Sequence, residues 1–434
     1  MLHRICLAYA ATLLVVAPSW AQEVQYRFLE EIQVVPDDQI GEWTVGARPF
    51  IVDAQTRIVL DHPVKLGALA EIHFAFRGGK AVATMIAPQA TMIADVHDGP
   101  YVFWTGPKTA EVVSLVAGKI KRSVHKNIDA PKVIKTAGKF ETNILLDPRK
   151  PTAPKSSWEA PERLLAISDL EGNYHNTCEF LQKHKVLDKD NHWAWGEGHL
   201  VLVGDLVDRG DMVTELMWML RRLEREALDA GGQVHYVLGN HEAMVMGGDL
   251  RYIHPKYHFI TGRLKIRYDD LYNAQSDIGR WWRSKNGVQR VGNLLFVHGG
   301  YSPMLDRERL DMKTLNRRIR EGLPPARPTG LTPATNPVVH QHGPFWYRGY
   351  FADFAAEWGG KATDNEVRAI LKRHNAEHIV VGHTVVERVG PLDETGTVIG
   401  IDVKWTDANR CEGLLQENGK LWRLTMNGRR EPIE

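Results

Sequence analysis

The chain has 434 residues, of which 43% are hydrophobic and 25% charged, so it has the composition of a globular protein long enough for two or three cores. Its formal net charge is only +1, which argues against a surface that binds polyanions through bulk charge. We therefore expect no nucleic-acid partner, and a basic surface could exist only as a local cleft.

The N-terminal residues predict an export signal. The short basic start MLHR precedes the apolar run ICLAYAATLLVVA, and Ser19-Trp20-Ala21 offers a small-x-small cleavage site. This run is too short for a permanent span, and no later segment reaches the roughly 18 apolar residues that a span requires. We expect cleavage after residue 21 and a periplasmic or secreted protein without a stable membrane span. An N-terminal anchor is the alternative.

Cleavage would leave two cysteines, Cys178 and Cys411. They could form one bridge in an oxidising compartment, but two cysteines are no disulfide framework. Tyr174, Cys178 and Leu181 follow helical spacing, which favours a buried free thiol at Cys178.

Residues 22–98 predict a small all-β barrel domain. The segments EIQVV, EWTVGARPFIV, RIVL, AEIHFAF and AVATMIA are rich in β-branched and aromatic residues and are separated by Gly, Pro or Asp. The order of these five or six strands resembles OB-like barrels. Such barrels often bind oligonucleotides or sugars, but a fold alone does not assign a ligand. We therefore favour a structural or docking module.

Residues 99–160 predict a β-rich connection that ends in the Pro-, Lys- and Ser-rich linker DPRKPTAPKSSWEAPE. From residue 161 to residue 434, strands alternate with helices. The segment DMVTELMWMLRRLEREALDAGG predicts an amphipathic helix. The long segment between Glu242 and His298 predicts a cap, in which Trp281 and Trp282 are expected to be core or interface residues.

Five apolar strands after residue 160 each lead to polar side chains of the metal-ligand type. The strand RLLAIS leads to Asp169, HLVLVG to Asp205, QVHYVLG to Asn240 and His241, LLFV to His298, and HIVVG to His383. Buried strands of α/β sheets present their carboxyl ends along one edge, where ligands bind. Burying carboxylates there is costly unless a positive centre compensates them. Mixed oxygen and nitrogen donors suit Mn²⁺, Fe or Zn²⁺.

The motifs SDLEGN, GDLVDRG, GNHE, VHGG and GHT occur in this order, and the series resembles the calcineurin-like metallophosphoesterase superfamily. GDLVDRG, GNHE and HGG are similar to its phosphoprotein phosphatase branch, and GNHEAMVMGGDLRYIHPKY and GPFWYRGYF resemble bacterial and Shewanella-like phosphatases. The resemblance implies an α/β (α+β) fold, a four-layer β-sandwich flanked by helices. It also implies two divalent cations, with manganese favoured and iron, zinc or magnesium as alternatives.

The resemblance further implies a role for each motif residue. Asp205 would bridge the two cations, Asp169 would complete the first site, and the second would be completed by Asn240, His298 and His383. A hydroxide held by the metals would attack phosphorus in line.

The remaining roles concern proton transfer and phosphate binding. His241 would protonate the leaving oxygen, and Asp208 would orient that imidazole. Arg209 would donate to phosphate oxygens, and Arg348 resembles a second phosphate-clamping arginine of the family.

The first motif departs from the family pattern. Where the family has Asp-x-His-Gly, this chain has Asp169-Leu170-Glu171-Gly172, so Glu171 replaces a metal-binding histidine. A carboxylate is a harder ligand and adds negative charge, which favours Mn²⁺, Mg²⁺ or Fe over Zn²⁺. We predict that Glu171 binds metal. If it turns away, the first site is weak or absent.

The sequence therefore favours an exported dinuclear phosphatase that hydrolyses phosphomonoesters of phosphoproteins or small molecules. A phosphodiesterase, nucleotidase or dinucleoside polyphosphate hydrolase on the same fold is the alternative. A third hypothesis is an inactive, metal-loaded binding protein, which only the departure at Glu171 supports.

Overall fold

The structure is a computed structural model that describes residues 12–13, 26–45, 48–59, 62–92, 95–136, 143–324, 336, 340–358 and 360–433. Of the predicted export signal, only Thr12–Leu13 belongs to this part of the chain, so that prediction lies outside the described residues. Among the helices that the structure describes, none combines the length and apolarity that crossing a membrane requires.

The N-terminal strands pair in a closed ring. Their bounds are β1 Thr12–Leu13, β2 Tyr26–Val34, β3 Gly41–Val45, β4 Arg48–Val52, β5 Arg57–Ile58, β6 Ala68–Arg77 and β7 Lys80–Met92. β2 pairs with β3, β3 with β4, β4 with β7, β7 with β6, and β6 with β2. Only the β4–β7 pairing in this ring is parallel. The run EWTVGARPFIV, one of the five segments expected to supply five or six strands, forms the two antiparallel strands β3 and β4.

Two smaller antiparallel units follow. One consists of β8 Asp98–Gly106, β9 Thr109–Val116 and β10 Lys119–His125, and the other of β11 Lys132–Lys135 and β12 Asn143–Leu146. Buried hydrogen bonds join β8 of the first unit to the helical part of the molecule. Trp218 Nε1 donates to the carbonyl of Pro100 at 2.7 Å, and Trp104 Nε1 donates to Asp277 Oδ2 at 2.9 Å.

The remaining strands form two six-stranded mixed sheets. The first has the order β16-β15-β14-β22-β23-β24, and the second β13-β17-β18-β19-β21-β20. Their bounds are β13 Ser157–Trp158, β14 Arg163–Ile167, β15 His199–Val203, β16 Gln233–Val237, β17 Val288–Val291, β18 Leu294–Val297, β19 His378–Val381, β20 Gly390–Pro391, β21 Val398–Gly400, β22 Glu412–Glu417, β23 Lys420–Thr425 and β24 Arg430–Pro432.

Helices cover both sheets. The helices are α1 Tyr174–Lys183, α2 Val213–Asp229, α3 Asn240–Gly247, α4 Pro255–Leu264, α5 Asp277–Trp282, α6 Pro303–Arg307, α7 Met312–Gly322 and α8 Asp364–His374, with 3₁₀ turns at Asp269–Tyr272, Ala352–Trp358 and Ala408–Arg410. α2 packs against β16 of the first sheet and α7 against β17 of the second. Apolar residues of the two sheets belong to one continuous core.

The predicted α/β class is confirmed, and so are several local predictions. The amphipathic helix forms as α2, with Leu216, Leu220 and Leu223 fully buried. Trp281 and Trp282 are core residues. The thiols of Cys178 and Cys411 are buried, and neither forms a disulfide within the described part of the chain. The OB-like barrel and the domain boundaries stay predictions.

Candidate active site

Polar residues follow the carboxyl ends of parallel strands in both sheets, and these strand ends lie close together. Asp169 and Asp205 lie two residues beyond β14 and β15, and His383 lies two residues beyond β19. The two sheets are joined there, because His298 Nδ1 donates to the carbonyl of Val203 at 2.8 Å. The edge shared by these strand ends therefore forms a common site.

Within this site the predicted metal ligands converge. One donor atom each from Asp205, His298 and His383 lies within 4.8 Å of the other two, and all three residues are buried. His298 Nε2 is 3.0 Å from Asp205 Oδ2 and 3.0 Å from Asn240 Oδ1. The backbone N–H of His383 lies 3.2 Å from Asp169 Oδ2. The structure thus brings together five of the residues that the strand ends predict: Asp169, Asp205, Asn240, His298 and His383.

Two glycines make this close approach possible. A Cβ atom at Gly239 would lie 2.2 Å from Asp205 Oδ1, and one at Gly204 would lie 2.6 Å from His298 Nδ1. Gly204 also has a φ of 81°, a conformation that favours glycine. These contacts explain why the acid of GDLVDRG and the amide of GNHE each follow a glycine.

The backbone around the site adopts left-handed conformations at non-glycine residues. Positive φ angles occur at Asp169 (54°), Glu171 (46°), Asp205 (52°), Asp208 (72°), Arg209 (53°) and His383 (64°). Such conformations are uncommon for non-glycine residues and cluster where function constrains the chain. The surrounding hydrogen bonds must hold these turns in place.

Glu242 holds one of these turns, and sequence reasoning assigned it no role. Its carboxylate is fully buried and accepts hydrogen bonds from the backbone N–H groups of Asp205 (3.1 Å), Leu206 (2.8 Å) and Gly239 (2.8 Å). The hydroxyl of Tyr236 donates a fourth bond at 2.9 Å. Glu242 thereby fastens the loop that carries Asp205 to the start of α3.

The donor set fits divalent cations. His298 donates from Nδ1 to a carbonyl, which directs Nε2 towards Asp205 and Asn240. His383 Nε2 is buried and has no hydrogen-bond partner within the described part of the chain. Burial and the neighbouring His298 hold the pKa of His383 well below its ordinary value, so this imidazole is neutral with a free lone pair. A buried, unsatisfied nitrogen beside carboxylates is what a cation would satisfy.

Charge is strongly coupled in this cluster. Burial lowers the pKa of His298, but the charges of Asp205 and Asp169 outweigh it and raise that pKa to about 9. Burial raises the pKa of Asp205, but His298 and His241 reverse this and hold it below its usual value. Without a cation, positive charge on His298 therefore balances the carboxylates.

Glu171 faces the cavity and is paired with an arginine. It forms an ion pair with Arg209, whose guanidinium also lies 5.0 Å from the ring of Tyr252. Burial raises the pKa of Glu171 to about 7, an effect that Arg209 opposes. The carboxylate of Glu171 is thus near the predicted first cation site, and its metal binding stays a prediction.

His241 and Asp208 form a buried pair beside the donor set. His241 Nδ1 lies 2.6 Å from Asp208 Oδ2, and His241 Nε2 lies 3.8 Å from Asp205 Oδ2. Burial lowers the pKa of His241, but Asp205 and Asp208 outweigh it and raise that pKa to about 9. His241 is therefore protonated at neutral pH and can act as an acid.

The donor set opens into a cavity of about 670 Å³. All the predicted site residues line it except Asp208 and His298, which are fully buried behind it. Arg348 is half-buried on one wall, 5.1 Å from the ring of Phe354. Burial lowers the pKa of its guanidinium. The volume exceeds that of one phosphate group and falls in the range of small-molecule sites.

Tyr252 and Asp402 are among the lining residues that sequence reasoning missed. Tyr252, from the predicted cap, is 40% exposed and its ring lies 5.1 Å from that of His241. Nothing in a lone tyrosine of a cap segment signals this contact. Asp402 is buried and lies two residues beyond β21. It repeats the pattern of an apolar strand followed by an acid, in the stretch VIGID, so the same reasoning could have found it.

A mixed α/β sandwich whose strand ends gather carboxylate, amide and imidazole donors beside arginines has the fold and the site of a metal-dependent phosphatase. The comparisons with known proteins agree. The family profile of the calcineurin-like phosphoesterases matches residues 162–387. The chain therefore belongs to the calcineurin-like phosphoesterase family, whose members depend on dinuclear metal centres.

Solved structures and curated relatives support this assignment. The crystal structure of a cold-active protein-tyrosine phosphatase from a psychrophilic Shewanella species is 33% identical and superposes with a TM-score of 0.71, over 78% of this chain and 100% of that one. Shewanella-like protein phosphatase 2 of Arabidopsis thaliana is 38% identical over 102 residues, which are 24% of this chain and 26% of that protein. Shewanella-like protein phosphatase 1 of Plasmodium berghei is 24% identical over 51% of this chain and 61% of its own length.

The predicted resemblance to Shewanella-like phosphatases is thereby confirmed, as is the enzyme class of phosphoric monoester hydrolases. The chain spans less than two thirds of the length of these two curated relatives, although it covers the whole of the Shewanella structure.

Proposed function

We propose that this protein is an exported, dinuclear metal-dependent phosphatase that hydrolyses phosphomonoesters. The observation that carries the proposal is the buried His241–Asp208 pair, which lies beside a buried carboxylate and imidazole donor set in a cavity that Arg209 and Arg348 also line. The similar Shewanella enzyme is a protein-tyrosine phosphatase. For this chain we propose the wider class of phosphoproteins and small phosphate esters.

The cations would be held by residues already in place. Asp205 would be shared by the two cations. Asp169 and Glu171 would complete one site, and the nitrogen-bearing site would be completed by Asn240, His298 and His383. When bound, two divalent cations neutralise phosphate charge and lower the pKa of water. We favour manganese, because Glu171 adds a hard oxygen donor where the family has a histidine.

The chain's own residues would bind the phosphate and move one proton. Arg209 and Arg348 would donate to phosphate oxygens from two walls of the cavity. A water molecule would form a new P–O bond as the P–O bond to the leaving group breaks. The leaving oxygen would take a proton from Nε2 of His241, and the proton that the water releases would restore this imidazole to its charged form. Asp208 keeps Nδ1–H engaged, so Nε2 is the nitrogen that faces the substrate. The buried carboxylate of Asp208 also stabilises the charged imidazole before transfer.

The N-terminal ring would be an OB-like barrel that docks or stabilises the enzyme. Its pairing order, β2-β3-β4-β7-β6, and the parallel contact between β4 and β7 support this assignment. The export of the protein rests on the sequence of residues 1–21. Detection of the mature protein, starting at Gln22, in a periplasmic fraction would test it.

Hydrolysis of two synthetic esters tests the proposed chemistry. The purified protein with Mn²⁺ should hydrolyse p-nitrophenyl phosphate and leave bis(p-nitrophenyl) phosphate largely intact. Preference for the bis ester, or for a dinucleotide, would instead indicate a diesterase or a dinucleoside polyphosphate hydrolase. A folded, metal-loaded protein without turnover on any of these compounds would refute the enzymatic proposal.

A further inference from the structure

A buried acid outside the matched family segment faces the candidate metal centre. Asp402 lies beyond residues 162–387, the part of the chain that the family profile covers. It follows β21, which runs parallel to β19, the strand that leads to His383. The backbone N–H of Ile401 donates to Val381 at 2.8 Å, and that of Val386 donates to the carbonyl of Asp402 at 2.8 Å. These bonds place Asp402 at the same sheet edge as His383.

The side chain of Asp402 is buried among other carboxylates. It is 5% exposed and lines the cavity together with Asp169, Glu171 and Asp205. Within the described ranges no side chain or backbone group forms a hydrogen bond or ion pair with its carboxylate. Burying a carboxylate without such a partner costs free energy, so we expect a bound cation to compensate its charge.

The pKa of Asp402 responds to the charges of neighbouring carboxylates. Burial, followed by the charges of Glu171 and Asp205, raises the pKa of Asp402 well above its ordinary value. Asp402 in turn is the largest effect after burial on the pKa of Asp169, which is also raised. The geometry agrees with this coupling, because Asp402 lines the same cavity as Asp169 and Glu171 and its carboxylate can join theirs around one cation.

The donors at the centre are unevenly divided. The nitrogen donors, His298 and His383, converge on one oxygen of Asp205, and the amide of Asn240 contacts His298. On the other side, Asp169, Glu171 and Asp402 supply oxygen only. We propose that Asp402 is an additional metal ligand, so that one cation is held by four carboxylates: Asp169, Glu171, Asp402 and the shared Asp205. The inference rests on the proposed dinuclear function.

This division predicts different preferences at the two positions. A site built only from carboxylate oxygens suits hard cations such as Mg²⁺ and Mn²⁺, whereas imidazole nitrogen suits Zn²⁺ and Fe as well. The presence of Glu171 in place of the family histidine and the addition of Asp402 therefore both favour a hard cation at this position. The centre is expected to bind one hard cation selectively and to be more permissive at the nitrogen-bearing position.

A competing role for Asp402 would be to orient Arg348 by an ion pair. No nitrogen of Arg348 comes within 4.0 Å of the Asp402 carboxylate in the described part of the chain, although each influences the pKa of the other. That role would change phosphate binding and leave metal content unaltered. Metal content thus separates the two roles without reference to turnover.

The test is metal binding by Asp402→Ala and Asp402→Asn in the full chain. After chelation, each protein is titrated with Mn²⁺ and, separately, with Zn²⁺, and the bound metal is counted by elemental analysis and calorimetry. We expect two Mn²⁺ sites in the unmodified protein. In both variants one of them should be weakened by at least about 10- to 100-fold, the loss that removing even an outer-shell partner of a metal ligand causes. Tight binding of one Zn²⁺ should persist. Glu171→His should shift the metal preference of the all-carboxylate position towards Zn²⁺.

Glu394→Gln is the matched control, because Glu394 is an exposed acid in the same C-terminal region. Thermal unfolding in the presence of chelator checks that each variant folds. Two Mn²⁺ sites of unaltered affinity in both folded Asp402 variants would overturn the inference. If the unmodified protein itself binds fewer than two cations or hydrolyses no phosphomonoester, the proposed function fails instead, which is a distinguishable result.

Discussion

Nδ1 of His241 lies 2.6 Å from Oδ2 of Asp208, and both side chains are shielded from solvent. Because the Asp208 carboxylate accepts a hydrogen bond from Nδ1–H of His241, Nε2 is the nitrogen that can donate a proton to a substrate. The pair therefore separates orientation, supplied by Asp208, from proton donation, supplied by His241. Two predictions follow from this division.

Replacing His241 by Asn should remove proton donation while sparing the metal centre. We expect turnover of phenyl phosphate, which has a poor leaving group, to fall about 10²- to 10⁴-fold. Turnover of p-nitrophenyl phosphate should fall less, since its leaving group needs little protonation. Steady-state kinetics with both esters, together with elemental analysis, measures this. His175→Asn, at an exposed position of α1, is the control, and equal loss of metal and activity would instead make His241 a ligand.

Replacing Asp208 by Asn should move the alkaline limb of the pH profile. His241 must be protonated to act as an acid, so kcat/KM for phenyl phosphate should fall as pH rises through the pKa of His241, which Asp208 raises. Asp208→Asn removes one raising interaction, so the limb should shift to lower pH. An unshifted limb in a variant of reduced activity would show that another group controls it.

Removing metal should abolish activity and lower stability. Cations that bind only the folded chain stabilise it by about 3 kcal/mol at a free concentration near 100 times Kd. We expect a chelator to release two ions per chain, to lower the melting temperature and to stop hydrolysis, and we expect Mn²⁺ to restore all three. A single bound zinc, together with full activity of Glu171→Ala, would contradict this prediction.

Glu242 should matter for stability more than for substrate binding. Its carboxylate accepts three backbone N–H groups and one hydroxyl in a fully buried position. Glu242→Gln replaces one acceptor by a donor that faces N–H groups, so we expect a loss of about 2–4 kcal/mol in the free energy of unfolding. Chemical denaturation measures it against Glu197→Gln, an exposed control. A loss below about 0.5 kcal/mol, the usual surface value, would contradict the anchoring role.

Glu215 should make folding stability depend on pH. It is buried in α2, with Lys256 Nζ 3.6 Å away, and burial raises its pKa from 4.5 to about 7. Between these values the folded chain retains a proton that the unfolded chain has released, so this contribution to stability falls as pH rises. The whole difference corresponds to roughly 3 kcal/mol.

Glu215→Gln should therefore flatten the decline between pH 4.5 and 7 that Glu215 contributes. The measurement is the free energy of unfolding as a function of pH, with Asp229→Asn at the exposed end of the same helix as the control. Parallel curves for Glu215→Gln and the unmodified protein would contradict the prediction.

Periodicity and strand ends predicted much of the catalytic half. The apolar runs before Asp169, Asp205 and His383 have the length and composition of buried parallel strands, and such strands end at a common edge. Their convergence follows from that geometry. The run of residues 42–52 was harder to divide, because its hydrophobic pattern is interrupted too weakly to separate β3 from β4.

By itself, the sequence determined which polar residues follow buried strands and hence that a shared, charged edge exists, because strand periodicity and motif order are local properties of the chain. Tertiary structure alone decided which partner each of these residues meets. Glu171 pairs with Arg209, and Glu242 fastens the Asp205 loop. Those contacts depend on sheet order and on loops that bring distant segments within a few ångströms, and no local pattern encodes such distances.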